Sequence, residues 1–157
     1  MGNFQHTDIP IKYPLAKETI TEVEIQRLIE WLKTNPRLTK GELTVEFEKK
    51  WAEYIGTKYS VFVNSGSSAN LLMIYTLKEM GKLKGKVIVP SVGWITTISP
   101  LLQFGIEPIM VDADKKTFGI DLEQTEFLLK TEEISAIIFV QVLGVPHYKE
   151  ELLRLSE

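Results

Sequence analysis

The chain has 157 residues, 44% of them hydrophobic and 25% charged, which is typical of one modest globular domain with a hydrophobic core. The formal net charge is −3 with scattered lysines and arginines, and no segment reaches the roughly 18 to 20 apolar residues of a membrane span, so we expect neither nucleic acid nor membrane as a partner. The absence of cysteine excludes disulfides, thiolate metal sites and a cysteine nucleophile within these residues, and it fits a soluble, unexported, cytoplasmic protein.

The sequence pattern in the first third of the chain predicts an extended arm followed by two helices. Residues 1–17 contain aromatic residues and prolines without periodicity, so we expect an extended N-terminal arm of the kind that packs on a neighbour. Apolar residues at helical spacing predict amphipathic helices over residues 18–34 and 43–55. An Asn-Pro pair at residues 35–36 ends the first helix, and Gly56 caps the second.

Beyond residue 58, strand-like and helical segments alternate four times. The predicted strands read YSVFV, KVIVP, EPIMVD and AIIFVQVLG, and the predicted helices cover 67–80, 93–104, 121–130 and 147–156. Near-continuous apolar strands separated by helices predict an α/β fold with a mostly parallel sheet and helices on both faces. Because the pattern stops at Glu157 without a closing strand, we expect residues 18–157 to form an incomplete domain of a longer chain.

The loop VNSGSSANLL follows the first predicted strand, at the sheet edge where ligands of parallel sheets bind. Gly66 lets the backbone approach a ligand, and the N–H groups at the helix start, with the hydroxyls of Ser67 and Ser68, suit a phosphate. The same residues also fit a simpler interpretation, in which Asn64 or Ser65 caps the helix and Gly66 only turns the chain. Spacing alone leaves both interpretations open.

Three more loops reach the same edge of the predicted sheet. Trp94 follows the second strand, where its indole either stacks on a planar ring or packs into the core. Asp112 and Asp114 are candidate metal ligands, but two carboxylates are too few and we predict no metal site. The fourth loop carries Gln141 and His147, and a lone histidine beside a helix start is more often a capping or surface residue than a base.

Three long stretches follow one another along the chain: LTKGELTVEFEKKWAEYIGTKYSVFVNSGSSANLL, VIVPSVGWITTISPLLQFGIEPIMVDADKKTFGID and AIIFVQVLGVP. In this order they resemble the N-terminal part of the DegT/DnrJ/StrS group of sugar aminotransferases. The resemblance implies part of the large domain of a fold-type-I enzyme with three α/β/α layers and strand order 3-2-4-5-6-7-1, in which the first strand has no neighbour among the next three. It also implies pyridoxal 5'-phosphate (PLP) or pyridoxamine 5'-phosphate as cofactor, a nucleotide-linked keto sugar as substrate, and a homodimer.

The resemblance assigns roles to individual residues. The small-residue loop would bind the cofactor phosphate, the tryptophan would stack on the pyridine ring, and the glutamine would lie near cofactor and sugar. The turn before the second helix would approach the sugar nucleotide. The implied cofactor-binding residues are Gly66, Ser67, Ser68, Trp94 and Gln141, and the implied substrate-binding residues are Thr39, Gly41 and Thr96.

The phosphate loop also indicates a branch of this group. Most of its aminotransferases carry SGT-A there, whereas NSGSSANL resembles the 3-dehydratases of 4-keto-6-deoxy sugars, in which histidine replaces the Schiff-base lysine. The lysine or histidine, and the aspartate that faces the pyridine nitrogen, are expected beyond Glu157, so we expect the chain to be inactive by itself. The alternative is a non-catalytic α/β module that binds a phosphorylated ligand.

Overall fold

The structure, a computed structural model, describes residues 18–145 and 149–156. The predicted N-terminal arm, residues 1–17, and His147 lie outside these ranges. The chain divides into two compact units between Phe62 and Val63. Within the described ranges, no helix has both the length and the apolar character that crossing a membrane requires.

The first unit contains the two predicted amphipathic helices, which are confirmed. They are α1 (Glu22–Lys33) and α2 (Glu42–Ile55). Thr21 and Glu24 form a capping box, which explains why α1 begins after Thr21 rather than at residue 18. Gly56 ends α2 in the left-handed conformation, with φ of 80°, as a glycine cap does.

The predicted first strand, YSVFV at residues 59–63, is wrong because this segment has no regular secondary structure. The N–H of Phe62 donates to Glu48 Oε1 at 3.0 Å, and the Ser60 hydroxyl donates to the Glu48 carbonyl. The Phe62 N–H and the Lys40 ammonium hold the pKa of Glu48 below its ordinary value. The backbone N–H and C=O groups of a strand pair with those of a neighbouring strand. Here the Phe62 N–H instead donates to the Glu48 carboxylate.

The second unit alternates helices and strands as predicted. Its elements are α3 (Gly66–Glu79), β1 (Lys86–Pro90), α4 (Ile95–Gln103), β2 (Pro108–Val111), α5 (Leu122–Thr131), β3 (Ile134–Ile137), a 3₁₀ turn (Val142–Gly144) and α6 (Lys149–Ser156). The strands form a parallel sheet in the order β2-β1-β3, with Ile88 opposite Ile109 and Ile137. The parallel α/β fold is confirmed, and so is the expected order of the second to fourth predicted strands.

The central strand β1 contributes to two hydrophobic cores because successive side chains of a strand point to opposite faces. One core contains Ile74, Val87, Val89, Leu101 and Ile106. The other contains Ile88, Val111, Ile120 and Leu152. Helices α3 and α4 therefore pack on one face of the sheet, and α5 and α6 pack on the other. This arrangement confirms the three α/β/α layers.

Strand β3 ends earlier than the apolar run AIIFVQVLG predicts. The N–H of Ile138 donates to the carbonyl of Ile88 at 2.8 Å. The next bond of a parallel ladder would come from the N–H of residue 90, and Pro90 has none. The pairing therefore stops, and the chain turns into the 3₁₀ segment, where Leu143 has a φ of 54°.

Candidate functional site

The turn before α3 is organised by its own side chains. Ser65 is the N-cap residue, and its Oγ accepts a hydrogen bond from the N–H of Ser68 at 3.2 Å. The Ser65 hydroxyl donates to Ser68 Oγ at 3.1 Å, and the Ser68 hydroxyl donates to Asn64 Oδ1 at 2.6 Å. Of the two residues predicted as possible caps, Asn64 and Ser65, the structure shows Ser65 in this position. The hydroxyl of Ser68, a predicted cofactor ligand, donates within the turn.

The same turn leaves two backbone donors for a ligand. Among the described residues, nothing accepts a hydrogen bond from the N–H groups of Gly66 and Ser67, and the Ser67 side chain is exposed. A Cβ placed on Gly66 would meet no atom within 4 Å, and its φ is not positive, so the chain's own packing does not require glycine there. An open position beside free N–H groups at the positive end of a helix fits a phosphate.

Trp94 lies just beyond the carboxyl end of β1 and is the N-cap residue of α4. Trp94 is 81% exposed, so the interpretation that it packs into the core is wrong. The N–H of Thr97 donates to the Trp94 carbonyl at 3.0 Å and closes this turn. An exposed indole on a closed turn is suited to stacking on a planar ligand.

Asn70 connects the two turns, and the sequence prediction missed it. Its Nδ2 donates to the carbonyl of Thr96 at 3.1 Å, which joins α3 to the first turn of α4. The structure therefore brings the predicted residues Gly66, Ser67 and Trp94 onto two helices that pack side by side. A proline inside the predicted helix 93–104 is the signal that could have revealed this contact. Proline has no N–H, so the carbonyl four residues before it lacks its helical hydrogen-bond donor.

Gln141 lies on the other side of the sheet from α3 and α4. With Ile137, Phe139 and Leu152 it lines a mainly apolar groove of about 500 Å³ beside β3, α5 and α6. No described hydrogen bond joins it to either turn. That Gln141 lies near the cofactor and the sugar stays a prediction.

Thr39 and Gly41 belong to the first unit, in the turn that precedes α2. Thr39 Oγ1 accepts a hydrogen bond from Arg37 Nε at 2.7 Å, and Gly41 is the N-cap residue of α2. Both line a groove of about 740 Å³ together with Trp31 and Arg37. Their contact with a sugar nucleotide stays a prediction.

Asp114, one of the two candidate metal ligands, uses its carboxylate within its own turn. Its Oδ1 accepts from the N–H of Lys116 at 2.9 Å, from the N–H of Thr117 at 2.8 Å and from the Thr117 hydroxyl at 3.0 Å. Over residues 18–145 and 149–156, no group of three or more histidine, cysteine, aspartate or glutamate side chains is arranged to hold a metal. Asp114 is therefore a structural residue of this turn.

Acid should weaken the fold partly through Asp114. The hydrogen bonds to its carboxylate, that from the Thr117 N–H first, hold its pKa below the ordinary 3.8. The carboxylate thus stabilises the folded chain above pH 3.8, and this contribution is lost as the pH falls through the lower folded-state pKa. We expect Asp114→Asn to lose less stability than the wild type between about pH 5 and about pH 3 in urea unfolding. Equal losses in the variant and the wild type would contradict this role, and Asp112→Asn is the matched control.

Comparison with known proteins decides the family. Residues 18–157 match the sequence model of the DegT/DnrJ/EryC1/StrS aminotransferase family. The chain belongs to this family. It is 42% identical over 153 residues to the GDP-4-keto-6-deoxy-D-mannose 3-dehydratase of Yersinia pseudotuberculosis, covering 95% of this chain and 38% of that protein. It is 38% identical over 149 residues to the Escherichia coli enzyme of the same name, covering 92% and 38%.

A solved structure agrees with these sequence matches. The Escherichia coli GDP-4-keto-6-deoxy-D-mannose-3-dehydratase with bound hydrated PLP has a TM-score of 0.78 and 38% identity, over 92% of this chain and 38% of that one. The chain thus spans about 38% of the length of the relatives that it matches. The predicted family is confirmed, and 3-dehydratases are among the relatives that match most of this chain, in agreement with the branch that the sequence indicates.

Proposed function

We propose that the chain is the cofactor-phosphate-binding part of a PLP or pyridoxamine 5'-phosphate enzyme, namely a 3-dehydratase of a nucleotide-linked 4-keto-6-deoxy sugar. The observation that carries the proposal is the first turn of α3, where the N–H groups of Gly66 and Ser67, beside an open glycine position, have no acceptor in the part of the chain that the structure describes. The names of the 3-dehydratase relatives and the PLP in the Escherichia coli structure support the choice of cofactor and reaction.

The residues of this chain would bind and orient the cofactor. The N–H groups of Gly66 and Ser67, with the Ser67 hydroxyl, would donate to the phosphate, and the dipole of α3 favours its negative charge. The Trp94 indole would lie against the ring and exclude water from that face. The bound cofactor supplies a conjugated ring that accepts electrons from the reacting carbon. Neither serine nor tryptophan is a base at neutral pH, so we assign these residues no proton transfer.

The substrate belongs to the same proposal. The two 3-dehydratase relatives are named for a GDP-linked keto sugar, and we propose a substrate of that class for the whole protein. Thr39, Gly41 and Thr96 are the proposed contacts to it, and Gln141 is proposed as a cofactor contact that also lies near the sugar, as the family resemblance implies. We also propose a homodimer, a cytoplasmic location and, for residues 18–157, an incomplete large domain; these three proposals rest on that resemblance and on composition. An aminotransferase that uses the same phosphate site is the second candidate, because the family is named for that reaction.

A comparison of PLP with pyridoxal, which lacks the phosphate, tests the phosphate site. Ser67→Ala should weaken PLP binding about tenfold, the effect of one hydrogen bond to a charged group, and leave pyridoxal binding unchanged. Both ligands can be titrated by absorbance and by tryptophan fluorescence. Thr76→Ala is the matched control, because the Thr76 hydroxyl bonds to the Leu72 carbonyl near the other end of α3. Equal weakening of both ligands, or no saturable PLP binding by the wild type, would reject the site.

A further inference from the structure

Helix α4 has one hydrogen bond fewer than its length implies. In an α-helix the N–H of residue i donates to the carbonyl of residue i−4, and proline has no N–H. Pro100 lies inside α4 and is buried, so the carbonyl of Thr96 lacks its helical donor. An unpaired carbonyl in a half-buried position is costly, and a donor from elsewhere is needed.

The Asn70 side chain supplies that donor. Its Nδ2 donates to the Thr96 carbonyl at 3.1 Å, and the contact is partly buried. Asn70 lies one helical turn after Gly66 on α3, and Thr96 lies two residues after Trp94 on α4. The bond therefore links the helix that begins with the phosphate turn to the turn that carries the indole. An asparagine side chain has only two rotatable bonds, so the link is short and stiff.

We propose that Asn70 is a positioning residue, whose amide replaces the N–H that Pro100 lacks and thereby holds the Trp94 turn against the Gly66–Ser67 turn. The bond sets the separation between the part of the site that binds phosphate and the part that stacks on the ring. This inference rests on the proposed function and extends it to a residue that contacts neither phosphate nor ring. The alternative is that Asn70 only satisfies a carbonyl and so stabilises α4.

A double-mutant cycle separates the two roles. Asn70→Leu keeps a similar volume and removes the donor, whereas Pro100→Ala gives α4 the N–H that its Thr96 carbonyl lacks. We expect Asn70→Leu to lower the urea midpoint and to weaken PLP binding about tenfold. In the double variant the midpoint should return to that of Pro100→Ala, because the helix then satisfies its own carbonyl. PLP binding should stay weak, because the link between the helices is still missing.

Two results would overturn the positioning role. One is full recovery of PLP binding in the double variant, which would mean that Asn70 acts only through the stability of α4. The other is an Asn70→Leu variant with unchanged PLP affinity. Should Asn70→Leu fail to fold, Asn70→Asp tests the same point, because a carboxylate of the same shape cannot donate to a carbonyl.

A measurement without cofactor keeps this inference distinct from the proposed function. The Thr97 N–H closes the Trp94 turn on the Trp94 carbonyl, so its hydrogen exchange reports opening of that turn. Asn70→Leu should accelerate this exchange about tenfold, and the double variant should remain fast. Absence of PLP binding by the wild type would reject the proposed function alone. Unchanged exchange at Thr97 would reject the role of Asn70.

Discussion

Replacement of Gly66 by alanine is expected to weaken PLP binding about a hundredfold while the protein stays as stable as the wild type. The added methyl group would stand in the open space beside the N–H groups of Gly66 and Ser67, which have no acceptor among the described residues, and we expect it to keep the phosphate away from both. Two hydrogen bonds to a charged group, at ~1.5 kcal/mol each, correspond to two tenfold losses of affinity.

The stability of this variant is the decisive control. A Cβ on Gly66 meets nothing within 4 Å, its φ is not positive, and alanine favours a helix over glycine by up to about 1 kcal/mol. The urea midpoint should therefore be unchanged or slightly higher, and pyridoxal should bind as before. Unchanged PLP affinity in a folded Gly66→Ala variant would mean that the phosphate does not approach this turn.

Gly85→Ala is expected to destabilise the second unit by about 3 kcal/mol. A Cβ there would lie 2.3 Å from the carbonyl oxygen of Glu133, which is backbone and cannot rotate away. That same oxygen accepts from the N–H of Lys86 at 2.8 Å, and the Ser135 hydroxyl donates to the Gly85 carbonyl at 3.1 Å. The methyl group would force β1 and β3 apart where their pairing begins.

Urea unfolding followed by circular dichroism measures this effect. Gly93→Ala is the matched control, because its Cβ would meet only the Pro90 ring at 3.9 Å, an ordinary contact distance. We expect that control to change the free energy of unfolding by less than about 1 kcal/mol. A Gly85→Ala variant as stable as the control would show that the two strands do not approach each other this closely.

The helices and the sheet core were predictable because their signals are local or periodic. The capping box at Thr21 and Glu24 and the glycine cap at Gly56 lie within a few residues of the helix ends that they fix. The strand that is absent and the strand that ends early both have non-local causes. YSVFV has β propensity but no partner strand within residues 18–145 and 149–156, and the last strand stops where its neighbour β1 ends in Pro90.

The part of the candidate site that a single local motif forms was predictable. Gly66 and Ser67 present their N–H groups from one turn, and that geometry follows from a small-residue loop before a helix. Spacing could not show that Ser68 bonds to Asn64 and Ser65, or that Asn70 reaches α4, since these contacts depend on side-chain direction and helix packing. Spacing also could not show where Gln141 lies, because β3 ends before it and the residue lines a groove away from both turns.

Backbone amide shifts on addition of PLP test the central claim most directly. In ¹⁵N-labelled protein, the N–H resonances of Gly66 and Ser67 should move most, because charged hydrogen bonds form there. The Trp94 indole N–H should move with the same PLP dependence, and pyridoxal should leave the Gly66 and Ser67 amides in place. Shifts confined to residues that line the groove beside β3, α5 and α6, with Gly66 and Ser67 unmoved, would contradict the account.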